Sequence, residues 1–216
     1  YEDQENYKVI EPAIHPTQGP LLMGEVVRAV SEATEHKAVL VTDVGQNQMF
    51  ACRYFKFSKG RSVLTSGGCG TMGFGLPAAI GATFGAPERT VCMFCGDGGL
   101  QMTIQELGTI MEQHAPVKII LLNNNFLGNV RQWQYMFFHK RYSFTPMLNP
   151  DYEKIAAGYG IPARTVIERE NLDSAINEML DTDGPFLLQC AIKEEDNVLP
   201  MTTPGASVDE MMLEIK

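Results

Sequence analysis

Two patterns of hydrophobic residues alternate along the chain. Short apolar runs, typical of buried strands, occur at 39–42, 62–65, 91–95, 117–122, 161–167 and 186–192. Between them, apolar residues recur at helical spacing and predict helices at 22–33, 48–54, 75–84, 103–114, 127–140, 152–158 and 172–180. This alternation predicts an α/β fold with an open, mainly parallel sheet and helices on both faces.

The two ends of the chain lack this alternation. Residues 1–18 are polar, contain two prolines and show no apolar period, which predicts a linker or domain-entry arm. We expect one domain at 19–196, followed by a C-terminal arm of the same domain at 197–216. The arm holds prolines before a short amphipathic stretch, so a frayed tail is the alternative.

Polar side chains follow two consecutive predicted strands. Asp97 comes directly after the run at 91–95 in the sequence Gly-Asp-Gly-Gly, and Asn124 follows the next strand in Asn-Asn-Asn. The intervening helix runs back ~18 Å at ~1.5 Å per residue, and the strand returns ~20 Å at ~3.3 Å per residue. We therefore expect Asp97 and Asn124 side by side at the carboxyl edge of the sheet, where open α/β sheets bind ligands.

This pair of oxygen donors predicts a magnesium-bridged diphosphate. A carboxylate and an amide suit Mg²⁺ or Ca²⁺, and Mg²⁺ fills its remaining positions with phosphate oxygens and water. Gly98 and Gly99 leave backbone N–H groups bare at the start of a helix, a favourable place for phosphate. The alternative is a glycine turn beside an asparagine-rich loop with no ligand.

A second glycine motif offers a rival function. The sequence Gly-Cys-Gly-Thr-Met-Gly at 68–73 fits G-x-G-x-x-G, and Asp97 follows at about the distance of a ribose-binding acid. This would indicate a nicotinamide-binding oxidoreductase domain. It leaves Gly98, Gly99 and the asparagine run without a role.

The Gly-Asp-Gly and Asn-Asn pair at this distance resembles the thiamine-diphosphate motif of decarboxylases and carboligases. The segments 42–46, 73–82 and 128–133 are similar to the catalytic subunit of the acetolactate synthase (acetohydroxyacid synthase) family, and the likeness runs from about Ile14 to the C-terminus. Glyoxylate carboligase and the flavin-free catabolic acetolactate synthases share the cofactor, but they match 131–133 less well.

The resemblance implies a role for each motif residue. The metal ligands would be Asp97, Asn124 and the backbone carbonyl of Phe126. The cofactor-binding residues would be Gln46, Asn47, Gly70, Met72, Gly96, Gly98 and Gly99. The residues lining the substrate channel would be Gly128, Val130 and Trp133. Gly70 would accept a hydrogen bond from the aminopyrimidine, and Met72 would hold the cofactor bent.

The chain departs from the family pattern at three positions. Relatives usually carry His at Asn47, Trp at Phe50 and Met at Asn129. Asn47 can donate a neutral hydrogen bond but cannot carry charge, which puts one diphosphate contact in doubt. Asn129 makes the channel wall more polar.

The resemblance also implies that the chain is one domain of a larger enzyme. Such enzymes decarboxylate pyruvate and condense the hydroxyethyl unit with a second 2-oxo acid, toward branched-chain amino acids. No catalytic residue is expected in this chain, because the activating glutamate belongs to the N-terminal pyrimidine-binding domain of a partner subunit. FAD would bind mostly to a missing middle domain. We expect a homodimer or tetramer with a regulatory small subunit, and an inactive isolated domain.

The composition of the chain limits the kinds of partner that we expect. The net charge of −9 without a run of Lys and Arg argues against nucleic acid, and no apolar run reaches the ~20 residues of a membrane helix. The five cysteines suit a reducing compartment, and we expect a cytoplasmic location for a bacterial protein or an organelle for a eukaryotic one. Cys92 and Cys95 should face opposite sides of their strand, which disfavours a redox or zinc pair.

Overall fold

A six-stranded sheet forms the centre of the molecule. The computed structural model describes residues 5–203 and 205–214. The strands are β1 (Val39–Thr42), β2 (Val63–Leu64), β3 (Val91–Gly96), β4 (Val117–Asn123), β5 (Ala163–Val166) and β6 (Phe186–Ala191). All neighbouring strands pair in parallel, in the order β2-β1-β3-β4-β6-β5. The expected parallel sheet is confirmed.

Helices connect the strands. They are α1 (Glu11–Ile14), α2 (Met23–Ala33), α3 (Gln46–Tyr54), α4 (Gly75–Gly85), α5 (Asp97–Met102), α6 (Leu107–Gln113), α7 (Gly128–Phe137), α8 (Tyr152–Gly158) and α9 (Leu172–Asp181). Short 3-10 turns cover Ile104–Glu106, Arg169–Asn171 and Val208–Glu210. None of the helices in the described ranges is long and apolar enough to cross a membrane.

The side chains of each strand alternate between two cores. In β3, Cys92 and Phe94 pack in a core with residues of α2, α3 and α9. Met93 and Cys95 point the other way, into a core with residues of α4, α6 and α8. Helices therefore cover both faces, as predicted. Cys92 and Cys95 lie in separate cores and both are free thiols, so the Cys-x-x-Cys sequence is no redox pair.

The prediction of one helix over 103–114 is wrong. The chain becomes helical at Asp97, breaks at Thr103 and resumes at Leu107. Thr103 leaves the helical conformation at φ −132°, and its hydroxyl donates to the carbonyl of Gly73. In the helix after this break, Leu107 and Ile110 are buried in the core. Met111 is half exposed and does not face the core.

The N-terminal segment is more ordered than the linker prediction suggested. A π-helical turn at Asn6–Ile10 continues into α1. Val9 is buried, and Ile14 packs against the core while its carbonyl accepts a hydrogen bond from the side chain of Arg28. The sequence shows no apolar period here because the helix is very short and only one of its sides meets the core.

The C-terminal arm packs against the domain over its described residues. Val198 is buried in the core, and Met201 pairs with Met212 in an antiparallel bridge. The guanidinium of Arg53 in α3 donates to the carbonyls of Leu199 and Pro200. These contacts contradict a frayed tail for this part of the arm. The domain boundary at residues 196 and 197 stays a prediction.

The strand order creates one topological switch point. The chain leaves β1 toward β2 at the edge of the sheet and then returns to place β3 on the other side of β1. The loops after β1 and β3 therefore diverge, and a crevice opens between them at the carboxyl edge of the sheet. This crevice is where the polar residues after β1, β3 and β4 converge.

Asp196, the last residue before the C-terminal arm, gives a pH-dependent test of how this end of the domain is held. Its carboxylate accepts the N–H of Met23 at 2.7 Å, and burial raises the pKa of Asp196 to about 6. An unfolded aspartate has a pKa of about 4, so the folded state binds more protons between these values. The free energy of unfolding should therefore fall as pH rises from about 4 to about 6.

We predict that Asp196→Asn stabilises the chain at pH 8 by about 1–3 kcal/mol, because the amide oxygen still accepts the N–H while the buried charge is removed. At pH 4 the variant and the wild type should unfold alike. Urea unfolding at both pH values measures this, and an equal effect at the two pH values would show that the carboxyl group is not titrating as inferred.

Candidate functional site

A pocket of about 250 Å³ lies at the carboxyl edge of β1, β3 and β4. It brings together all the site residues expected from sequence except Trp133: Gln46, Asn47, Gly70, Met72, Gly96, Asp97, Gly98, Gly99, Asn124, Phe126, Gly128 and Val130. Apolar residues that the sequence did not single out complete the wall: Met23, Val44, Leu122 and Leu127. Trp133 lies outside the lining, with its ring 5.1 Å from that of Phe137 and 38% of its surface exposed.

Gly45 turns the chain from β1 directly into α3. Its φ of +128° is a conformation that side chains disfavour. Because α3 begins at Gln46 and not at Gln48 as predicted, Gln46 and Asn47 lie in its first turn, and both are buried. Their side chains border the pocket from the end of β1.

Asp97 is the buried carboxylate of the pocket. It is 1% exposed, and burial raises its pKa, opposed by hydrogen bonds from the amide of Asn149 and the N–H of Gly98. Asn149 Nδ2 lies 2.7 Å from Asp97 Oδ2, and Gly98 N lies 3.0 Å from Oδ1. Donors thus surround a carboxylate that meets no positively charged group among these contacts.

Asn124 lines the same pocket from the end of β4. Its Oδ1 accepts the N–H of Phe126 at 3.3 Å, and its Nδ2 lies 3.5 Å from Gln46 Oε1. The parallel register pairs Gly96 with Leu122, so the chain passes into the pocket from both strands at almost the same level. Asp97 and Asn124 therefore lie at the same edge of the sheet and line one pocket.

Glycine is favoured at three positions of the pocket by close approach of neighbouring atoms. A Cβ at Gly99 would lie 2.1 Å from Asp43 Oδ1, and one at Gly128 would lie 2.0 Å from Gln46 Oε1. A Cβ at Gly98 would lie 2.8 Å from a methyl carbon of Leu127. Because these three glycines have no side chains, Asp43, Gln46 and Leu127 can pack directly against the backbone of the pocket.

Asp43 is a structural residue of the site that sequence reasoning missed. It is fully buried after β1, and its carboxylate accepts N–H groups of Gly73 at 3.2 Å and Gly75 at 2.9 Å. These bonds tie the loop that carries Gly70 and Met72 to the end of β1. The sequence contained a signal for this role, because a buried aspartate at the end of a strand needs hydrogen-bond donors around its carboxylate.

Gln132 is a second missed residue. It is 3% exposed, its Oε1 accepts from Gln46 Nε2 and from the N–H of Val198, each at 2.9 Å, and its Nε2 donates to the carbonyl of Val198 at 3.1 Å. Gln46 also donates to the carbonyl of Asp196 at 3.1 Å. Buried amides therefore connect the pocket to the C-terminal arm.

The donor set fits magnesium held together with a diphosphate. One carboxylate, one amide oxygen and a backbone carbonyl at Phe126 are hard oxygen ligands, and Mg²⁺ commonly takes one or two carboxylates and completes its shell with phosphate and water. In the described part of the chain, His, Cys, Asp and Glu form no group of three that could hold a metal. Asn47 Oδ1 is buried without a hydrogen-bond partner, while its Nδ2 donates to the carbonyl of Val44 at 3.3 Å.

The sequence profile of thiamine pyrophosphate enzymes, C-terminal TPP binding domain, matches residues 43–190. This match covers well over half of the chain. The chain belongs to this family of thiamine pyrophosphate enzyme domains. The matched range thus includes the pocket residues from Val44 to Val130, together with Asn149, and leaves Met23 outside.

Several curated acetolactate synthases are similar to this TPP-binding domain. The large subunit of acetolactate synthase isozyme 2 from Escherichia coli (strain K12) is 43% identical over 194 residues, which cover 89% of this chain and 35% of that protein. Chloroplastic acetolactate synthase 2 from Nicotiana tabacum is 42% identical over 217 residues, covering 97% and 32%. The chain therefore spans about a third of the length of these relatives.

A solved structure shares the fold of the TPP-binding domain. It is the thiamine diphosphate-dependent 4-hydroxybenzoylformate decarboxylase of Rhodococcus jostii RHA1, with a TM-score of 0.76 and 25% identity over 84% of this chain and 34% of that one. The rival dinucleotide arrangement does not form. The glycine motif at 68–73 follows β2, while Asp97 follows β3, and β1 lies between these two strands.

The buried amide of Gln132 gives a test of the connection between pocket and arm. We predict that Gln132→Met lowers the free energy of unfolding by about 1–3 kcal/mol, because the polar groups of Gln46 and Val198 lose their buried partner. Hydrogen exchange at Val198 should become faster. Urea unfolding and hydrogen–deuterium exchange measure the two effects.

Gln134→Met is the matched control on the same helix, since the side chain of Gln134 hydrogen-bonds to the backbone of the exposed Ser143. It should leave exchange at Val198 unchanged. Equal exchange at Val198 in wild type and Gln132→Met would contradict the prediction.

Proposed function

We propose that the chain binds thiamine diphosphate through Mg²⁺ in the pocket at the carboxyl edge of the sheet. The observation that carries this proposal is the convergence of Asp97, Asn124 and the glycines after β3 in one pocket of a thiamine pyrophosphate enzyme domain. Asp97, Asn124 and the carbonyl of Phe126 would hold the metal. The backbone N–H groups at Gly98 and Gly99 would donate to the diphosphate, and Gln46 and Asn47 would lie beside it as further cofactor-binding residues.

Gly70 and Met72 would hold the rest of the cofactor. Gly70 lines the pocket in a left-handed conformation (φ +61°), and the Asp43 bonds anchor its loop. The methyl carbon of Met72 lies 3.4 Å from the position of a Cβ at Gly98, so Met72 lies beside one of the glycines that would bind the diphosphate. A large, soft side chain at this place can support a bent ligand.

Bound thiamine diphosphate would supply the carbanion chemistry and the electron sink that the amino acids themselves lack. The residues of this chain would fix its diphosphate end, exclude water with the apolar wall, and leave the far end open. Val130 is 48% exposed beside the pocket, and Trp133 is on the same helix. They would form part of the route for a 2-oxo acid substrate together with Gly128.

We further propose that the complete protein is an acetolactate synthase, which joins two 2-oxo acid molecules with loss of CO₂. The support is the identity of 42–43% to acetolactate synthases along nearly the whole chain. Its remaining parts would come from outside these 216 residues: the activating glutamate on the pyrimidine-binding domain of a partner subunit, FAD on a middle domain, and a regulatory small subunit.

The charge of Asp97 gives a direct test of the metal site. We predict that Asp97→Asn weakens binding of thiamine diphosphate in the presence of Mg²⁺ by about 100-fold, since removing a buried charged partner costs about 3 kcal/mol or more. Without Mg²⁺, wild type and variant should bind equally weakly. Isothermal titration calorimetry with and without Mg²⁺ measures both.

Asp183→Asn is the control, because Asp183 is exposed in the turn before β6 at the opposite edge of the sheet. It should bind like wild type. Undiminished affinity of Asp97→Asn would refute the metal assignment, and tight binding of NAD in place of thiamine diphosphate would refute the function.

The activity of the complete protein is a separate prediction. With thiamine diphosphate, Mg²⁺ and FAD present, it should form acetolactate from pyruvate, and residues 1–216 alone should form none because they lack the activating group. Colorimetric assay of acetolactate, after acid conversion to acetoin, measures this. Pyruvate consumed without a condensation product would indicate a decarboxylase instead.

A further inference from the structure

Asn149 lies behind the carboxylate of Asp97 and contacts the asparagine run after β4. Its Nδ2 is 2.7 Å from Asp97 Oδ2 and 3.1 Å from both Asn123 Oδ1 and Asn125 Oδ1. It is not among the residues that line the pocket. One amide group thus bridges the chain ends of β3 and β4 without facing the ligand space.

The other end of this amide is held by two donors. Gln101 Nε2 lies 2.9 Å from Asn149 Oδ1, and the hydroxyl of Tyr152 lies 3.1 Å from the same oxygen and 3.3 Å from the carbonyl oxygen of Asp97. Tyr152 is 2% exposed at the start of α8, so its hydroxyl is fixed by packing. A flipped amide would direct its oxygen at a carboxylate and its N–H groups at donors, which settles the orientation.

These contacts restrict the rotation of the Asp97 carboxylate. Oδ2 accepts from the Asn149 amide at 2.7 Å and Oδ1 accepts from the N–H of Gly98 at 3.0 Å, so a separate donor holds each oxygen. Metal ligands are commonly oriented by such outer partners, and the loss of one costs about 10–100-fold in metal affinity.

We propose that Asn149 is a positioning residue for the magnesium site, which holds the Asp97 carboxylate and the asparagine run after β4 in one geometry. This inference rests on the proposed function, and it adds a residue that would act on the metal only through Asp97 and the asparagine run. Tyr152 supports it by holding Asn149 Oδ1.

The test titrates the complete protein with Mg²⁺ at a saturating concentration of thiamine diphosphate. Calorimetry measures cofactor binding at each Mg²⁺ concentration. Asn149→Asp keeps the shape but replaces the donor by a second carboxylate, and should raise the Mg²⁺ concentration needed for half-maximal cofactor binding by about 10–100-fold. Excess Mg²⁺ should restore the cofactor affinity. Tyr152→Phe, which keeps the packing and removes one hydroxyl, should shift the midpoint in the same direction by about threefold.

Asn177→Asp is the control, since Asn177 is exposed on α9, and its Mg²⁺ midpoint should equal that of wild type. An unchanged midpoint in Asn149→Asp overturns the inference. So does a loss of cofactor binding that excess Mg²⁺ does not restore, because that outcome indicates a merely structural role.

If Asn149→Asp does not fold, an unchanged midpoint in Tyr152→Phe overturns the inference, and a raised one supports it. Failure of the wild type to bind thiamine diphosphate at any Mg²⁺ concentration would instead refute the proposed function, and the inference with it.

Discussion

The parallel register of β3 and β4 is the constraint on which the site depends. Gly96 pairs with Leu122, so Asp97 and Asn124 leave the sheet at nearly the same level. A shift by one residue would turn the side chains of one strand to the opposite face. Because both faces of β3 and β4 are buried between helices, such a shift would expose one core and overfill the other. Packing far from the pocket therefore fixes the distance between its ligands.

Amide groups, and not ion pairs, organise the polar side of the pocket. Asn149 holds Asp97, while Gln132 joins Gln46 to the arm at Val198. An amide can donate and accept at once, so it bridges two segments without adding a buried charge that would need a counter-ion. This arrangement leaves the Asp97 carboxylate as a negative charge free to be matched by a cation from solution.

The sequence predicted what depends on periodicity and chain order. The parallel sheet, its helices on both faces and the meeting of Asp97 with Asn124 follow from apolar runs and from the lengths of one helix and one strand. Asn149 could not be found this way, because α8 follows a long irregular segment whose path has no period. The break at Thr103 was missed for a related reason: it depends on a tertiary hydrogen bond to Gly73.

The comparison with the decarboxylase separates what the domain does from what the whole enzyme does. A 4-hydroxybenzoylformate decarboxylase shares this fold at a TM-score of 0.76, so under the proposed function the cradle after β1, β3 and β4 would not by itself select the second reactant. Under the proposed function, selection would come from groups around the open end of the pocket. In this chain these are Val130 and Asn129 on α7, and the arm that Gln132 attaches to the same helix. Substrate choice would then be set by how α7 and the arm pack together, while the diphosphate end stays common to the family.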